Sequence, residues 1–265
     1  MSTATQSIVE LPAPVPGSTL AERVAAAKLH AMYQIANSPI REYPFPHICV
    51  EGVFPATFYE EALANLPRDE GYTPLKETGR VGAGYSAARL ALFRDTIGEA
   101  KVTPGQRAFW TAMFDAFGGN EFGNLVLGKF QSFIERRLAA DNPGGKKTLK
   151  AHSEVFMMRD LVTYSLGPHT DNPKKLISML FYLPLDNSRP QLGTAVYVPK
   201  DRGFDCPGGP HHKRELFDHV QTMPYHRNTV VAFPKTPRCF HGVELLTSED
   251  SRRDIFFFDL KGKLV

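Results

Sequence analysis

The sequence predicts a mainly β protein with α-helices. Two antiparallel sheets face each other in a sandwich or jelly roll, and N-terminal helices pack on one sheet. Three observations predict it. The chain changes character near residue 150, with helical spacing before it and strand-like runs after it. Six short runs of β-branched and aromatic residues fall within residues 151–265 with no helical pattern between them, so their natural pairing is antiparallel. The composition, 42% hydrophobic and 22% charged over 265 residues, is that of a globular chain able to fill a large core.

The elements follow in order. "STLAERVAAAKLHAMYQIAN" offers Ser18 or Thr19 as an N-cap ahead of good helix formers. "FPHICVEGVF" reads as a short strand, and "PATFYEEALANLP" as a helix bounded by prolines. "TPGQRAFWTAMFDAF" and "EFGNLVLGKFQSFIERRLAAD" carry apolar residues at three- and four-residue spacing and read as two more helices, ended by "NPGGKK". Residues 1–150 are thus expected to form a helical elaboration with one short strand, within the same domain as a β core at 151–265. The core strands are "EVFMMRDLVTYSLG", "KLISMLFYLPL", "GTAVYVP", "NTVVAFP", "CFHGVELL" and "RRDIFFFDLKG". The connection 199–225 is long and holds several Gly and Pro residues, as active-site lids often do.

Several classes are disfavoured. A net charge of +3 without a dense Lys/Arg run gives no footprint for nucleic acid. No apolar run is long enough to span a bilayer. Cys49, Cys206 and Cys239 are odd in number and widely spaced, which fits neither a disulfide framework nor a zinc pattern and favours a reducing cytoplasm. The Pro-rich opening "MSTATQSIVELPAPVPGS" lacks the basic start and apolar core of a signal peptide and reads as a frayed tail.

The chemistry concentrates in "SLGPHTDNPKKLISMLFYLPLD". His169 and Asp171 stand two apart beside a strand, so their side chains share a face. Seventy residues on, "FPKTPRCFHGVEL" places His241 in another strand, and eleven residues later Arg252 and Arg253 open the last run. Two histidines and a carboxylate on one face, with coordination positions left open, suit non-haem Fe(II). A nearby arginine supplies a fork for a carboxylate. Each residue also has a plain reading: a polar turn for His169 and Asp171, a half-buried histidine for His241, edge-strand charges for the arginines. Cys239 reads as a small pocket or core residue, and His211 and His212 as loop or substrate contacts.

This order of residues resembles the Fe(II)/2-oxoglutarate-dependent dioxygenases, in the style of their prolyl-4-hydroxylase-like branch. "KKLISMLFYLPLD" resembles the strand after the H-x-D motif, "QLGTAVYVP" the Gly-Thr strand, "HRNTVVAFP" the strand leading to the distal histidine, and "YPFPHICVEGVFPATFYEEAL" the opening of bacterial members. The likeness spans most of residues 43–260. It implies a double-stranded β-helix of cupin-like jelly-roll form, with His169, Asp171 and His241 as catalytic metal ligands for Fe(II). It further implies 2-oxoglutarate and O2 as co-substrates and an arginine on the far carboxylate. Tyr164, Arg159 and Ser178 sit on strands beside the His169 and Asp171 pair and read equally as contacts to co-substrate or substrate and as packing residues. The Arg-x-x-aliphatic pattern favours Arg252, with Arg253 in competition because the gap from His241 is slightly long. Asp171 favours hydroxylation, since related halogenases carry Gly or Ala there. The implied activity is hydroxylation of an unactivated C–H in a small-molecule metabolite or natural-product intermediate, with 2-oxoglutarate converted to succinate and CO2. A prolyl-type peptidyl or amino-acid hydroxylase and a non-catalytic cupin-like binding protein stand as alternatives. Oligomeric state leaves no mark in the sequence.

Overall fold

The computed structural model describes residues 17–82, 85–144, 148–248 and 251–264. The opening read as a frayed tail lies, through residue 16, outside the described residues. Helix α1 (Leu20–Asn37) begins at a capping box: Thr19 Oγ1 accepts from the Glu22 amide, and the Glu22 carboxylate accepts from the Thr19 amide at 2.7 Å. Its buried face is Val24, Ala27, Ala31 and Ile35, at helical spacing. Helix α2 (Ala56–Ala64) follows Pro55. Helix α3 (Pro104–Gly118) repeats the capping device with Thr103 and Gln106, with Pro104 in its first turn. The run expected as one helix over 121–141 divides into α4 (Asn120–Lys129) and α5 (Gln131–Asp141). The division falls at Phe130, which leaves helical geometry with its ring wholly buried. Packing here overrides a locally favourable helix.

Eleven strands, among the described residues, make two antiparallel sheets. In chain order they are β1 (Ile48–Glu51), β2 (Thr73–Pro74), β3 (Arg89–Phe93), β4 (Leu149–Asp160), β5 (Leu166–His169), β6 (Lys175–Tyr182), β7 (Thr194–Pro199), β8 (Phe217–Met223), β9 (Thr229–Pro234), β10 (His241–Val243) and β11 (Arg253–Leu264). The larger sheet runs β1-β9-β6-β11-β4-β3-β2 and the smaller β5-β10-β7-β8. Strands from both halves of the sequence share the larger sheet, since β1 pairs with β9 and β3 with β4.

The larger sheet is buried on both faces. Val155, Met157, Ile177, Phe181, Phe256 and Phe258 pack with the helices, where Phe117 sits edge-on to Phe181 and Phe256. The alternate residues, Phe156, Met158, Leu180, Tyr182, Ile255 and Phe257, face the smaller sheet. Two faces of apolar residues explain why the strand sequences are nearly unbroken in hydrophobicity.

The segment expected as a lid is shorter and better anchored than its composition suggests. Strand β8 occupies residues 217–223 of it and pairs with β7. The remainder is tied to the core: the His212 amide donates to Pro168 O at 2.8 Å, the Cys206 amide to Pro237 O at 2.9 Å, and Thr170 Oγ1 to Cys206 O at 3.0 Å. Phe204, His212, Phe217 and Phe240 form an aromatic cluster beneath it. Gly208, at φ +127°, brings the loop so close to Asp171 that a Cβ would lie 2.5 Å from the Asp171 carbonyl oxygen. This glycine serves close packing of the loop against Asp171. No described helix is long and apolar enough to cross a membrane.

Candidate metal centre

His169 ends β5 and His241 begins β10, and these residues are direct partners across the antiparallel pair. Their rings lie 4.4 Å apart between centroids. Gly242 permits the approach, since a Cβ there would lie 2.3 Å from the Leu166 carbonyl oxygen. Asp171 follows two residues after His169, and its Oδ2 is 3.8 Å from His241 Nε2. One ligand atom from each of the three residues falls within 4.8 Å of the others.

The surroundings orient these ligands. His169 Nδ1–H donates to Gly167 O at 3.0 Å and His241 Nδ1–H to Cys239 O at 2.9 Å, because a carbonyl can only accept. Both Nε2 atoms are left as lone-pair donors, the tautomer a metal needs. Ser178 Oγ donates to Asp171 Oδ2 at 2.8 Å, and Lys175 Nζ lies 3.3 Å from Asp171 Oδ1 and 2.9 Å from Asp259. Burial pushes the His169 imidazole well below its ordinary pKa, with His241 adding to the effect, and burial lowers His241 as well. Burial alone would raise Asp171, but Lys175, His241, His169 and the Ser178 hydroxyl outweigh it and hold the carboxyl below its usual range. Neutral imidazoles beside an ionised carboxylate are the protonation states that metal coordination requires.

A cavity of about 550 Å³ opens on the triad. Its wall includes Arg89, Thr194, His211, Phe233 and Arg253, with Arg80 and Lys261 also lining it. Arg89 and Arg253 both hold Asp160: Arg89 through Nε at 2.6 Å and Nη2 at 2.9 Å, Arg253 through Nη1 at 2.6 Å. All three residues are buried. Two guanidiniums on one carboxylate leave an unbalanced positive charge. Arg253 Nε and Nη2 are buried with no acceptor among the described residues, an arrangement costly unless an anion completes it.

The arginine register differs from the sequence expectation. Arg252 points away from this cavity, is 40% exposed, and pairs with Asp254 at 2.7 Å. Arg253 is the first residue of β11 and shares its inward face with Ile255, Phe257 and Asp259, which line the cavity or pack beside it. Ser178 does line the cavity, but its hydroxyl is spent on Asp171 and Asp259. Tyr164 stands behind the wall, its hydroxyl 3.3 Å from that of Tyr85 and its ring under the Arg89 guanidinium. Arg159 lies on the opposite face of the larger sheet, against Asp69, Asp254 and the Tyr72 ring. His211 lies 4.8 Å from His169 between ring centroids and faces the cavity, whereas His212 is packed into the aromatic cluster.

Asp160, Arg89, Lys175 and Asp259 escaped the sequence reading. The signal for two of them was present. "MMRDL" and "FFFDL" each put a carboxylate at or inside a buried strand, and a charge there needs a partner.

Two imidazole nitrogens and one carboxylate on a shared face, open toward a cavity, form a group that could hold a metal ion, in the arrangement of a 2-His-1-carboxylate site. No protein-family model and no curated protein matches the chain. Solved structures similar to it include a prolyl-4-hydroxylase from Pseudomonas putida, at 15% identity and a TM-score of 0.46 over 92% of this chain and 98% of that one. Another is a 2OG-Fe(II) oxygenase family oxidoreductase from Burkholderia pseudomallei, at 12% identity and a TM-score of 0.43 over 96% and 95%. A third is HygX from Streptomyces hygroscopicus with nickel and 2-oxoglutarate bound, at 14% identity and a TM-score of 0.38 over 81% and 82%.

Proposed function

We propose that this protein is an Fe(II)/2-oxoglutarate-dependent oxygenase that hydroxylates an unactivated C–H of a small molecule. The observation that carries the reading is the joint presence, in one cavity, of the metal triad and of a buried arginine with unpaired donors. A metal explains the triad alone. A dicarboxylate co-substrate that reaches both metal and arginine explains the pair. We read the strand order in the same sense. From β4 to β11 the chain alternates between sheets, with β7 and β8 consecutive in the smaller one, as in an eight-stranded jelly roll, the double-stranded β-helix. Residues 151–265 supply most of that core, and residues 1–150 elaborate it within one domain.

His169, Asp171 and His241 would hold the metal, and Arg253 would receive the far carboxylate of 2-oxoglutarate. The bound metal supplies activation of dioxygen coupled to oxidative decarboxylation of the co-substrate. The chain's own residues do the rest. Ser178 and Lys175 fix the Asp171 carboxylate, so its aim does not depend on rotamer freedom. Arg89 holds Asp160 by two bonds, and Asp160 in turn positions the Arg253 fork. Phe233, packed 4.5 Å from the His241 ring, and Phe257 give the cavity apolar walls that limit water. The anchored loop presents His211 beside the triad as a contact for substrate.

A cavity of about 550 Å³ lies within the roughly 300–1,000 Å³ typical of small-molecule sites, which supports a metabolite-sized substrate. The test is turnover. The purified protein with Fe(II) and 2-oxoglutarate in air should produce succinate, and His241→Ala or Asp171→Ala protein should not. Failure of the Ni(II)-loaded protein to bind 2-oxoglutarate in a calorimeter would overturn the proposal, whatever the substrate.

A further inference from the structure

A second cavity, of about 640 Å³ and with a lining that shares no residue with the metal cavity, lies between α5 and the segments around Pro44, Pro173, Pro207 and Pro237. Its walls are unusual in chemistry. Five prolines line it (Pro44, Pro46, Pro173, Pro207, Pro237), together with Phe133. Proline has no N–H, so these stretches offer apolar rings and carbonyl acceptors but no donors. Among the side-chain donors on the wall, the buried ones are cationic.

Arg137 on α5 is 8% exposed at its side chain. Its Nη1 donates to Lys175 O at 2.8 Å and Lys235 O at 3.1 Å, while its buried Nε has no hydrogen-bond acceptor. The Asp141 carboxylate lies 3.7 Å from that Nε but is largely exposed. Lys235 is 2% exposed. Its ammonium donates to Thr170 Oγ1 at 3.0 Å, Cys206 O at 3.3 Å and Thr236 O at 2.9 Å. All three are neutral, and Lys235 has no ion pair among the described residues. Arg136 and Arg238 add positive charge, Arg238 with Asp205 as partner, and Glu42 is the other acid on the wall. Two buried cations thus border the cavity, while Asp141, 3.7 Å from Arg137 Nε, is largely exposed and Glu42 is exposed. Uncompensated charge of this kind is stabilised by a bound anion.

We propose that this cavity binds a small organic monocarboxylate with an aromatic or branched apolar body. The carboxylate lies toward Arg137, whose buried Nε lacks an acceptor, with the Lys235 charge behind it, and the body lies against the proline and Phe133 walls. The site is independent of the metal and co-substrate.

The probes are phenylacetate and 4-methylvalerate, with phenylacetamide as the neutral control, titrated by NMR into the full-length protein. Both acids should bind saturably at millimolar concentration and the amide should bind at least about tenfold more weakly, the loss expected for one charged contact. Ala140 lies exposed on the cavity rim, so Ala140→Trp fills the entrance without touching the core and should abolish binding. Arg137→Gln should weaken it by about tenfold or more. Arg253→Ala, in the metal cavity, should leave it unchanged. Absence of saturable binding of both acids would overturn the proposal. So would equal binding of acid and amide, or binding lost in Arg253→Ala but kept in Ala140→Trp, which would put the anion in the metal cavity. If Arg137→Gln does not fold, the Ala140→Trp and amide comparisons decide alone.

Discussion

Arg253 and Arg252 are adjacent in sequence and opposite in surroundings, so replacing each in turn tests the proposed co-substrate site directly. Arg253 is fully buried and bonds Asp160 through Nη1. In Arg253→Ala, Asp160 keeps the two bonds from Arg89 at 2.6 and 2.9 Å, so the fold should persist. What is lost is the fork proposed to receive the co-substrate carboxylate. Removing one partner of a buried charged pair costs roughly 2–5 kcal/mol. A central value of about 3 kcal/mol corresponds to a Kd for 2-oxoglutarate raised on the order of a hundredfold, at about 1.4 kcal/mol per decade. Arg253→Lys keeps the charge but not the planar fork and should lose about tenfold. Arg252 is 40% exposed, and its partner Asp254 is also held by Arg159 at 2.6 Å. Arg252→Ala should therefore cost no more than about 1 kcal/mol. Calorimetric titration of 2-oxoglutarate into Ni(II)-loaded protein under argon reads binding apart from turnover. An Arg252→Ala loss equal to that of Arg253→Ala would refute the assignment, as would unchanged affinity in Arg253→Ala.

Other expectations follow from particular contacts. Metal at about a hundred times its Kd should stabilise the protein by about 2.7 kcal/mol, visible as a raised melting temperature in wild type and absent in Asp171→Ala. Gly242→Ala should push β10 off β5, since the new Cβ would lie 2.3 Å from Leu166 O; both metal affinity and thermal stability should fall together, and retention of both would contradict the packing. Ser178→Ala frees Asp171 Oδ2 from its hydrogen bond and should weaken metal binding about tenfold or more with little change in 2-oxoglutarate affinity at saturating metal. Residues 200–216 should resist limited proteolysis under native conditions, because their backbone is tied to Pro168 and Pro237; rapid nicking there would show a mobile lid instead.

The candidate metal ligands were legible because their chemistry is sparse. Few residue types serve as ligands, and His169 and Asp171 are fixed to one face by a spacing of two. The arginine register was not legible for a physical reason. In "RRDIFFFDL" both faces of the strand are apolar, since Phe256 and Phe258 meet the helices while Ile255 and Phe257 meet the cavity side. The period of two that would separate inside from outside is therefore missing. Composition also left the seating of the loop unread: its glycines and prolines suggested a lid, and one of them, Gly208, brings the chain against Asp171. Short β3 was hidden among helical patterns because "RLALF" is five residues long and buried throughout, too brief for periodicity to declare it.

The position of β11 sets a condition on how the protein comes into being. This strand is inserted between β4 and β6, with full-length pairing to β4, and its partners are made some seventy or more residues earlier. A nascent chain that has produced β4 and β6 but not yet β11 holds both with an edge unpaired, and such edges recruit other chains. It also lacks Arg253 and Asp259, so neither the fork nor the acid beside Lys175 exists. Assembly of the larger sheet is consequently a late event relative to synthesis, dominated by contacts distant in sequence and slow for that reason. Chaperone protection of the growing chain would matter most in the interval between the emergence of β6 and that of β11.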